Sequence, residues 1–278
     1  MIHHLNSALA TPRPVDVLVV GAGGTGSQVV TALAQMHHAL TSLDHPGLQV
    51  TVLDDDTVSL SNIGRQWFFK ADLGQSKAEV LVNRCNLTLG TSWKAVRGKL
   101  SASDRVAHAL VIGCVDTRES RYAIMRAMEE GIRGRSYWLD FGNRRYDGQV
   151  ILGEVSRARR KTNEPDKLPH VGELFPEAID PSAVDPDEGP SCSLAEALRK
   201  QSLFINRTLV AHGMGMLWEL LHTGQIDYHG VWVNLKTGRS SSLAVDPAAW
   251  ERFGYGKQKA QIRKSKMRKE REAATQPA

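Results

Sequence analysis

The interpretation of the whole chain starts from one segment, Val17-Leu18-Val19-Val20-Gly21-Ala22-Gly23-Gly24-Thr25-Gly26-Ser27. An apolar run leads into a Gly-x-Gly-x-x-Gly motif, and the residues after the motif have the apolar spacing of a helix. In such a unit the glycines allow a tight turn, a close approach of backbone to phosphate groups, and close packing of helix on strand. The first N–H groups of the helix then face an anion. The segment therefore predicts the start of a nucleotide-binding βαβ unit.

A second apolar run, which ends in a carboxylate, completes this unit. Residues 50–53 are predicted to form the second strand, and Asp54 follows them. A carboxylate at the end of that strand can accept a hydrogen bond from a ribose hydroxyl. Proteins that bind NAD or FAD share these features, so at this point the identity of the nucleotide stays open.

A third strand is predicted from the continuous apolar run Ala109 to Val115, which is followed by Asp116. Strands that are buried on both faces of a parallel sheet have this composition. Ligands of open α/β sheets lie beyond the carboxyl ends of the strands. We therefore expect Asp54 and Asp116 to share one crevice.

Length and composition indicate one large α/β domain or two small ones in a chain of 278 residues. No apolar run approaches the length of a membrane span, and the N-terminus lacks the architecture of a signal peptide. We therefore expect a cytoplasmic protein with no membrane association. The net charge of +5 comes largely from a basic tail. Such a tail can contact nucleic acid, but without aromatic or base-reading motifs a solvated tail is favoured.

The three cysteines, Cys85, Cys114 and Cys192, are widely separated and fit a reducing compartment. Cys85 falls in a predicted helix and Cys114 in a predicted buried strand, so both are interpreted as core residues. Cys192 falls between a long crossing and a helix N-terminus, an environment that lowers the pKa of a thiol. We interpret it as a candidate nucleophile, with an unreactive loop cysteine as the alternative.

Two further motifs change the interpretation of the nucleotide. Residues 54–66 read Asp-Asp-Asp-Thr-Val-Ser-Leu-Ser-Asn-Ile-Gly-Arg-Gln, and residues 74–77 read Gly-Gln-Ser-Lys. With the glycine motif, this pattern resembles the ThiF/MoeB-type ubiquitin-activating-enzyme-like superfamily over residues 15–155. It is most similar to the ThiF-related family of the plasmid-borne PRTRC cassette. A NAD-linked dehydrogenase would explain the glycines but not these two motifs.

The resemblance implies an α/β fold: a Rossmann-like, doubly wound, mainly parallel sheet with a crossover loop and a C-terminal helix plus β-hairpin extension. It also implies ATP and Mg²⁺ as cofactors, a homodimer, and nucleotide contacts from Gly21, Gly23, Gly24, Gly26, Ser27, Asp54, Asp56, Asn62, Arg65 and Lys77. Arg65 and Lys77 would also act in catalysis, and Asp116 would be catalytic and hold the metal. Asp55 stands at a variable position of the motif and is expected to be simply exposed. Relatives often carry a structural zinc on two Cys-x-x-Cys pairs; the pairs do not occur here, so no zinc is expected.

The predicted organisation begins with a loosely held lead-in at residues 1–14 and a nucleotide-binding adenylation core at 15–155. A surface crossover loop follows at 156–194. A C-terminal helix and hairpin at 195–250 complete the same domain, and the basic tail occupies 251–278. Within the core a short helix is predicted near Asp104 to His108, and Gln149 to Val155 is interpreted as an extension that leaves the nucleotide core.

Three functional hypotheses follow from these motifs. The leading one is ATP-dependent adenylation of the C-terminal carboxylate of a small ubiquitin-like protein, with possible thioester transfer to Cys192. The second is activation of a small-molecule or RNA-linked carboxylate without a thioester. The third is a non-catalytic nucleotide-binding partner of a plasmid-maintenance or DNA-associated complex, although every phosphate-facing position of the motif is intact.

Overall fold

The computed structural model describes residues 1–157, 167–183 and 194–255. The strands are β1 (His3–His4), β2 (Val15–Val20), β3 (Leu48–Leu53), β4 (Lys94–Val96), β5 (Leu110–Gly113), β6 (Arg135–Asn143), β7 (Asp147–Ser156), β8 (Gln225–Ile226), β9 (Tyr228–Asn234) and β10 (Arg239–Ala244). The helices are α1 (Gly24–Thr41), α2 (Lys77–Leu89), α3 (Arg118–Gly131), α4 (Val171–Leu174), α5 (Leu194–Lys200), α6 (Ile205–Thr223) and α7 (Pro247–Glu251), with 3₁₀ turns at Lys70–Asp72 and Pro176–Ile179.

In the part of the chain that the structure describes, eight strands form one sheet in the order β10-β9-β7-β6-β5-β2-β3-β4. Strands β4, β3, β2, β5 and β6 are parallel, and β7, β9 and β10 extend the sheet with antiparallel pairs. From β2 the chain first builds outward through β3 and β4, and then returns to the other side of β2 with β5. The crevice at this switch of direction is where ligands of such sheets bind. The predicted doubly wound fold is confirmed.

Helices cover both faces of the sheet, because the central strands are apolar on both faces. Val17 and Val19 of β2 pack in the core cluster that contains residues of α1, α2 and α6. Leu18 and Val20 point the other way, into the cluster that contains residues of α3. Successive side chains of one strand thus fill two cores, and this anchors the turn that follows β2 from both sides.

The N-terminal segment is tied to the rest of the molecule, so the expectation of a loosely held lead-in was wrong. β1 pairs antiparallel with β8, and the side chain of Leu9 is fully buried. The N-terminal amine donates to the carbonyl of Val245 at 2.7 Å, and the backbone N–H of Asn6 donates to the Tyr137 hydroxyl at 3.0 Å. The sequence signal missed here was the set of apolar residues in this proline-bounded stretch, among them Leu5 and Leu9.

Two further expectations within the core were also wrong. Residues 104–108 are not helical: the N–H of Val106 donates to the carbonyl of Ala127 at 2.9 Å, which draws the segment onto the end of α3. The strand predicted near residues 149–155 does not leave the core, because β7 lies between β6 and β9. The predicted C-terminal hairpin is present as β9 and β10, and it joins the same sheet through β7.

The crossover was expected to run over the surface; in its described middle, residues 167–183, the first half packs into the protein and most of residues 176–183 lie at the surface. Leu168, Val171 and Leu174 are buried, and Gly153 of β7 lies so close to the backbone of His170 that it leaves no room for a side chain. The flanking residues, which include Cys192, lie outside the described part, as does the basic tail beyond residue 255. Among the described helices, none is both long and apolar enough to span a bilayer.

Candidate functional site

The glycine turn between β2 and α1 is built by close contacts that exclude side chains. Gly21 has φ +92°, and a Cβ placed on it would lie 2.6 Å from the carbonyl oxygen of Cys114. A Cβ on Gly26 would collide with the carbonyl group of Gly21. Around a Cβ on Gly23 there is open space, and no side chain caps α1 at this residue. The first turn of α1 is therefore open to an anion.

The carboxylate of Asp54 lies directly against this turn. One oxygen accepts the N–H of Ala22 at 2.5 Å, and the other accepts the N–H of Asp56 at 2.8 Å. Burial raises the pKa of Asp54, while the two N–H donors and the charge of Lys77 oppose that rise. The residue thus shapes the turn and presents a carboxylate at the end of β3, and its contact with a ribose hydroxyl stays a prediction.

Lys77 is the first residue of α2 and lies beside the acidic loop. Its side chain is buried, and its Nζ contacts Oδ2 of the exposed Asp56 at 2.7 Å. Its backbone N–H donates to the carbonyl of Asp56 at 3.0 Å, and Ser76 caps the helix. In this structure Asp56 therefore supplies the negative charge that Lys77 faces. Asp55 is exposed, as expected, and approaches Lys99 at 3.4 Å.

Asn62 and Ser27 hold the loop in place. Asn62 Oδ1 accepts the N–H of Ser59 at 2.9 Å and its hydroxyl at 3.1 Å, which closes a turn. Ser27 Oγ accepts the N–H of Trp67 at 3.2 Å, and the Ser27 side chain is fully buried in α1. The structure gives both side chains these local bonds, so their predicted contacts with a nucleotide stay predictions.

Arg65 extends from the same loop to the first turn of α1. Its Nη1 lies 3.7 Å from the position of a Cβ on Gly24 and donates to Oε1 of Gln201 at 3.0 Å. Its Nε is buried and has no hydrogen-bond partner among the described residues. Burial lowers the pKa of Arg65. A partly desolvated cation with an unused donor, next to an uncapped helix N-terminus, is suited to an anion.

Asp116 follows β5, and Asp54 follows β3, on either side of β2 in the sheet. The two carboxylates therefore lie at the same edge, as the sequence predicted. Asp116 is exposed and makes no hydrogen bond or ion pair with other described residues, which leaves its oxygens open to a metal or to water. Within the described ranges, no group of three or more His, Cys, Asp or Glu side chains could hold a metal.

The cysteines differ in what the structure describes of them. Cys85 is buried in α2, and burial raises the pKa of its thiol. For Cys114, burial and the nearby Asp140 raise the thiol pKa well above its usual value. Both thiols are therefore poor nucleophiles. The candidate nucleophile Cys192 lies outside the described residues.

A buried ion pair beneath the crevice was missed at the sequence level. Arg121 of α3 contacts the carboxylate of Asp140, which follows Leu139 in β6, with its Nε at 3.1 Å from Oδ2. Its Nη2 donates to the carbonyls of Val115 and Phe141, both at 2.9 Å. Burial raises the pKa of Asp140, and Arg121 opposes that rise. The pair fixes the chain just before Asp116. A carboxylate within the apolar strand pattern of β6 was the available signal.

A polar cluster beside α1 was also missed. It is formed by the side chains of Thr25, Asn143, Gln201 and Asn206, together with Arg65. Asn206 lies on the buried face of α6, next to Ile205 and Leu209. A buried amide on an apolar helix face was the one signal in the sequence, because buried polar groups need hydrogen-bond partners.

A glycine turn that opens a helix, with an acid at the end of the neighbouring strand, defines a Rossmann-like nucleotide-binding protein. The ThiF family matches residues 9–235, so the chain belongs to the ThiF family. The superfamily inferred from the motifs is thereby confirmed. The narrower likeness to the PRTRC family stays a prediction.

Among curated relatives, the adenylyltransferase and sulfurtransferase UBA4 of Yarrowia lipolytica is 34% identical over 117 residues, which is 40% of this chain and 27% of UBA4. The NEDD8-activating enzyme E1 catalytic subunit of Dictyostelium discoideum is 38% identical over 80 residues, which is 26% of this chain and 16% of that subunit. The chain thus matches less than a third of the length of either relative.

Two solved structures share the fold. The crystal structure of PaaA superposes with a TM-score of 0.57 at 14% identity, over 86% of this chain and 75% of PaaA. Escherichia coli MccB, solved with ATP, superposes with a TM-score of 0.54 at 14% identity, over 85% of this chain and 65% of MccB. At these identities the likeness concerns the fold.

Proposed function

We propose that the protein activates a carboxylate by adenylation with ATP. The observation that carries this proposal is the position of Arg65: a partly desolvated guanidinium lies next to the uncapped first turn of α1, and its Nε has no hydrogen-bond partner in the described part of the chain. A dinucleotide places a pyrophosphate on such a turn and leaves the cations of the following loop without partners. The triphosphate of ATP extends further and can engage Arg65 and Lys77 together.

The remaining residues of the crevice fit the other parts of Mg-ATP. For Asp54, at the end of β3, we propose that its carboxylate accepts a hydrogen bond from the ribose. Asp116 offers an exposed carboxylate that has no partner among the described residues, and magnesium in nucleotide sites takes one or two carboxylates together with phosphate oxygens. Bound there, Mg²⁺ would neutralise charge on the phosphates. The residues present therefore fit both ATP and magnesium.

In the proposed reaction, an oxygen of the substrate carboxylate attacks the α-phosphorus of ATP, and the bond to the leaving pyrophosphate breaks. Negative charge then increases on the leaving group. Arg65 can stabilise that charge through a planar pair of N–H donors, and Lys77 as a point charge, once it exchanges Asp56 for phosphate. Such an exchange is favoured by the exposure of Asp56, because water can solvate its carboxylate once it leaves Lys77.

For the substrate we propose the C-terminal carboxylate of a small ubiquitin-like protein. Support comes from two of the relatives, one an adenylyltransferase and sulfurtransferase and one a NEDD8-activating enzyme, and from MccB, which was crystallised together with MccA. We further propose that Cys192 takes up the activated carboxyl group as a thioester. The proposal of this step relies only on the position of Cys192 in the sequence. Activation without a thioester is the alternative.

A homodimer is part of the same proposal. The surface near the site carries exposed apolar side chains at Leu60, Trp67, Phe69 and Phe204, and the rings of Trp67 and Phe69 pack edge to face. We propose that these side chains meet a second copy of the chain, because large exposed apolar side chains are typical of protein interfaces. Light scattering at micromolar concentration should give a dimer mass, and a monomer would contradict this part of the proposal.

The experiment that tests the reaction is ATP–pyrophosphate exchange against a panel of purified ubiquitin-like proteins. One of them should stimulate exchange, and the same protein without its C-terminal glycine should not. With the active partner, a reductant-sensitive adduct that is lost in Cys192→Ser would support the thioester. Exchange without any such adduct would favour the thioester-free alternative. Stimulation by a small carboxylic acid and by no protein would contradict the proposed substrate.

A further inference from the structure

Gln201 lies between α5 and α6, and its side-chain oxygen accepts two hydrogen bonds. One donor is Nη1 of Arg65 at 3.0 Å, and the other is Nδ2 of Asn206 at 3.1 Å. Arg65 belongs to the loop after β3, whereas Asn206 lies in the first turn of α6. A single amide oxygen therefore joins two segments that are distant in the sequence.

The position of this oxygen is fixed by the side chain of Asn206, which is only 4% exposed. Asn206 Oδ1 accepts the hydroxyl of Thr25 at 3.3 Å and also a bond from Nδ2 of Asn143. Thr25 lies in the first turn of α1, and Asn143 ends β6. The acceptor for Arg65 is thus held in register with the glycine turn through a short chain of hydrogen bonds.

Gln201 is uncharged, and this determines how much of the positive charge of the Arg65 guanidinium is neutralised. A carboxylate at this place would pair with Arg65 and satisfy its charge, because carboxylates bind guanidinium in a bidentate manner. The amide oxygen takes one N–H and leaves the positive charge and the buried Nε of Arg65 without a counter-charge among the described residues. The arrangement fixes the direction of the guanidinium and keeps its charge available.

We propose that Gln201 is a positioning residue that holds Arg65 next to the first turn of α1, ready for the triphosphate of ATP. This inference rests on the proposed function. Gln201 is not needed to hold the junction between α5 and α6, because the N–H of Ser202 donates to the carbonyl of Arg145 at 2.8 Å and fixes the backbone there. Loss of the Gln201 side chain should therefore leave the fold intact.

The test compares Gln201→Met, which has a similar length and no amide oxygen, with the wild-type protein. Calorimetry with Mg-ATP should show affinity reduced about five- to tenfold, the equivalent of part of one charge-assisted hydrogen bond. Adenosine, which lacks phosphates, should bind both proteins alike. Gln201→Glu should weaken ATP binding further, because its carboxylate competes with phosphate for Arg65. The matched control is Arg207→Ala, which removes an exposed cation one position beyond Asn206 and should bind ATP as the wild type does.

A double-mutant cycle decides whether Gln201 acts through Arg65. In an Arg65→Ala background, Gln201→Met should cause no further loss of ATP affinity. Wild-type protein that binds no ATP would overturn the proposed function, and this inference with it. If the wild type binds ATP, three results would overturn the role of Gln201 alone: unchanged ATP affinity in Gln201→Met, equal loss for adenosine, or additive losses in the double variant.

Discussion

At the scale of single residues, the sharpest contrast is between two exposed acids with different surroundings. Asp116 is exposed at the carboxyl end of β5 and makes no bond to other described side chains, whereas Asp55 is exposed on the loop after β3 and lies near Lys99. In the proposed function Asp116 acts near the phosphates, and Asp55 has no role. Both carboxylates lie on the surface, so removal of either should leave the fold intact.

We therefore predict that Asp116→Ala lowers the rate of ATP–pyrophosphate exchange by about 100-fold or more, the effect of removing one electrostatic group from a transition state. Asp55→Ala is the matched control and should retain the wild-type rate. Circular dichroism and thermal unfolding should be the same for all three proteins. Wild-type exchange in Asp116→Ala would show that this residue does not hold the metal.

At the scale of elements, the turn between β2 and α1 gives a prediction about stability. A Cβ on Gly26 would overlap the carbonyl group of Gly21, while a Cβ on Gly23 would meet no atom within 4 Å. Gly26→Ala should therefore lower the free energy of unfolding by about 1–3 kcal/mol, as overpacking does, and shift α1 away from β2. Gly23→Ala should cost much less. Urea unfolding of the two variants checks the difference, and equal losses would mean that the turn relaxes freely.

Elements also show how far the sequence could predict the structure. The central strands and α1 were predictable, because continuous apolar runs and a glycine motif specify a buried parallel sheet locally. The non-helical conformation of residues 104–108 could not be predicted. It depends on the hydrogen bond from Val106 to Ala127, which joins segments that the sequence does not relate. The position of β7 within the sheet depends on its pairing with β9, which comes much later in the chain.

The residues of the candidate site also fall into two groups, those that the sequence could predict and those that it could not. Asp54, Arg65, Lys77 and Asp116 stand at motif positions, so their place at one edge of the sheet could be predicted. Gln201 and Asn206 could not be assigned, because their role depends on hydrogen bonds across more than one hundred residues of chain, such as the one between Arg65 and Gln201. A buried amide has no motif of its own, and only its contacts disclose its partner.

At the scale of the whole molecule, His229 makes stability depend on pH. It is fully buried in β9, and its Nδ1 lies 2.7 Å from the carbonyl of Leu152. Burial lowers its pKa from 6.5 to about 4, with the bond to Leu152 opposing. Between these two values the unfolded chain binds a proton that the folded chain does not. The stability contributed by neutral His229 is therefore full above about pH 6.5 and declines as the pH falls towards 4.

We predict that acidification from about pH 7 to about pH 5 costs about 2 kcal/mol through this residue, from the two pKa values. His229→Asn is the control, because its amide can still donate to Leu152 and does not titrate. His37 and His45, whose pKa values are also lowered by burial, titrate in both proteins and cancel in the comparison. Urea unfolding at the two pH values should show a smaller loss in the variant. Equal losses would show that His229 is not the group responsible.

The proposed function depends on a crevice that accepts a triphosphate. The most direct measurement is a calorimetric titration of the purified chain with Mg-ATP and, separately, with NAD, repeated with Arg65→Ala. We expect ATP to bind, NAD to bind far more weakly, and Arg65→Ala to lose about tenfold or more in affinity for ATP, the equivalent of one charge-assisted hydrogen bond. Tight binding of NAD without binding of ATP would contradict the central claim.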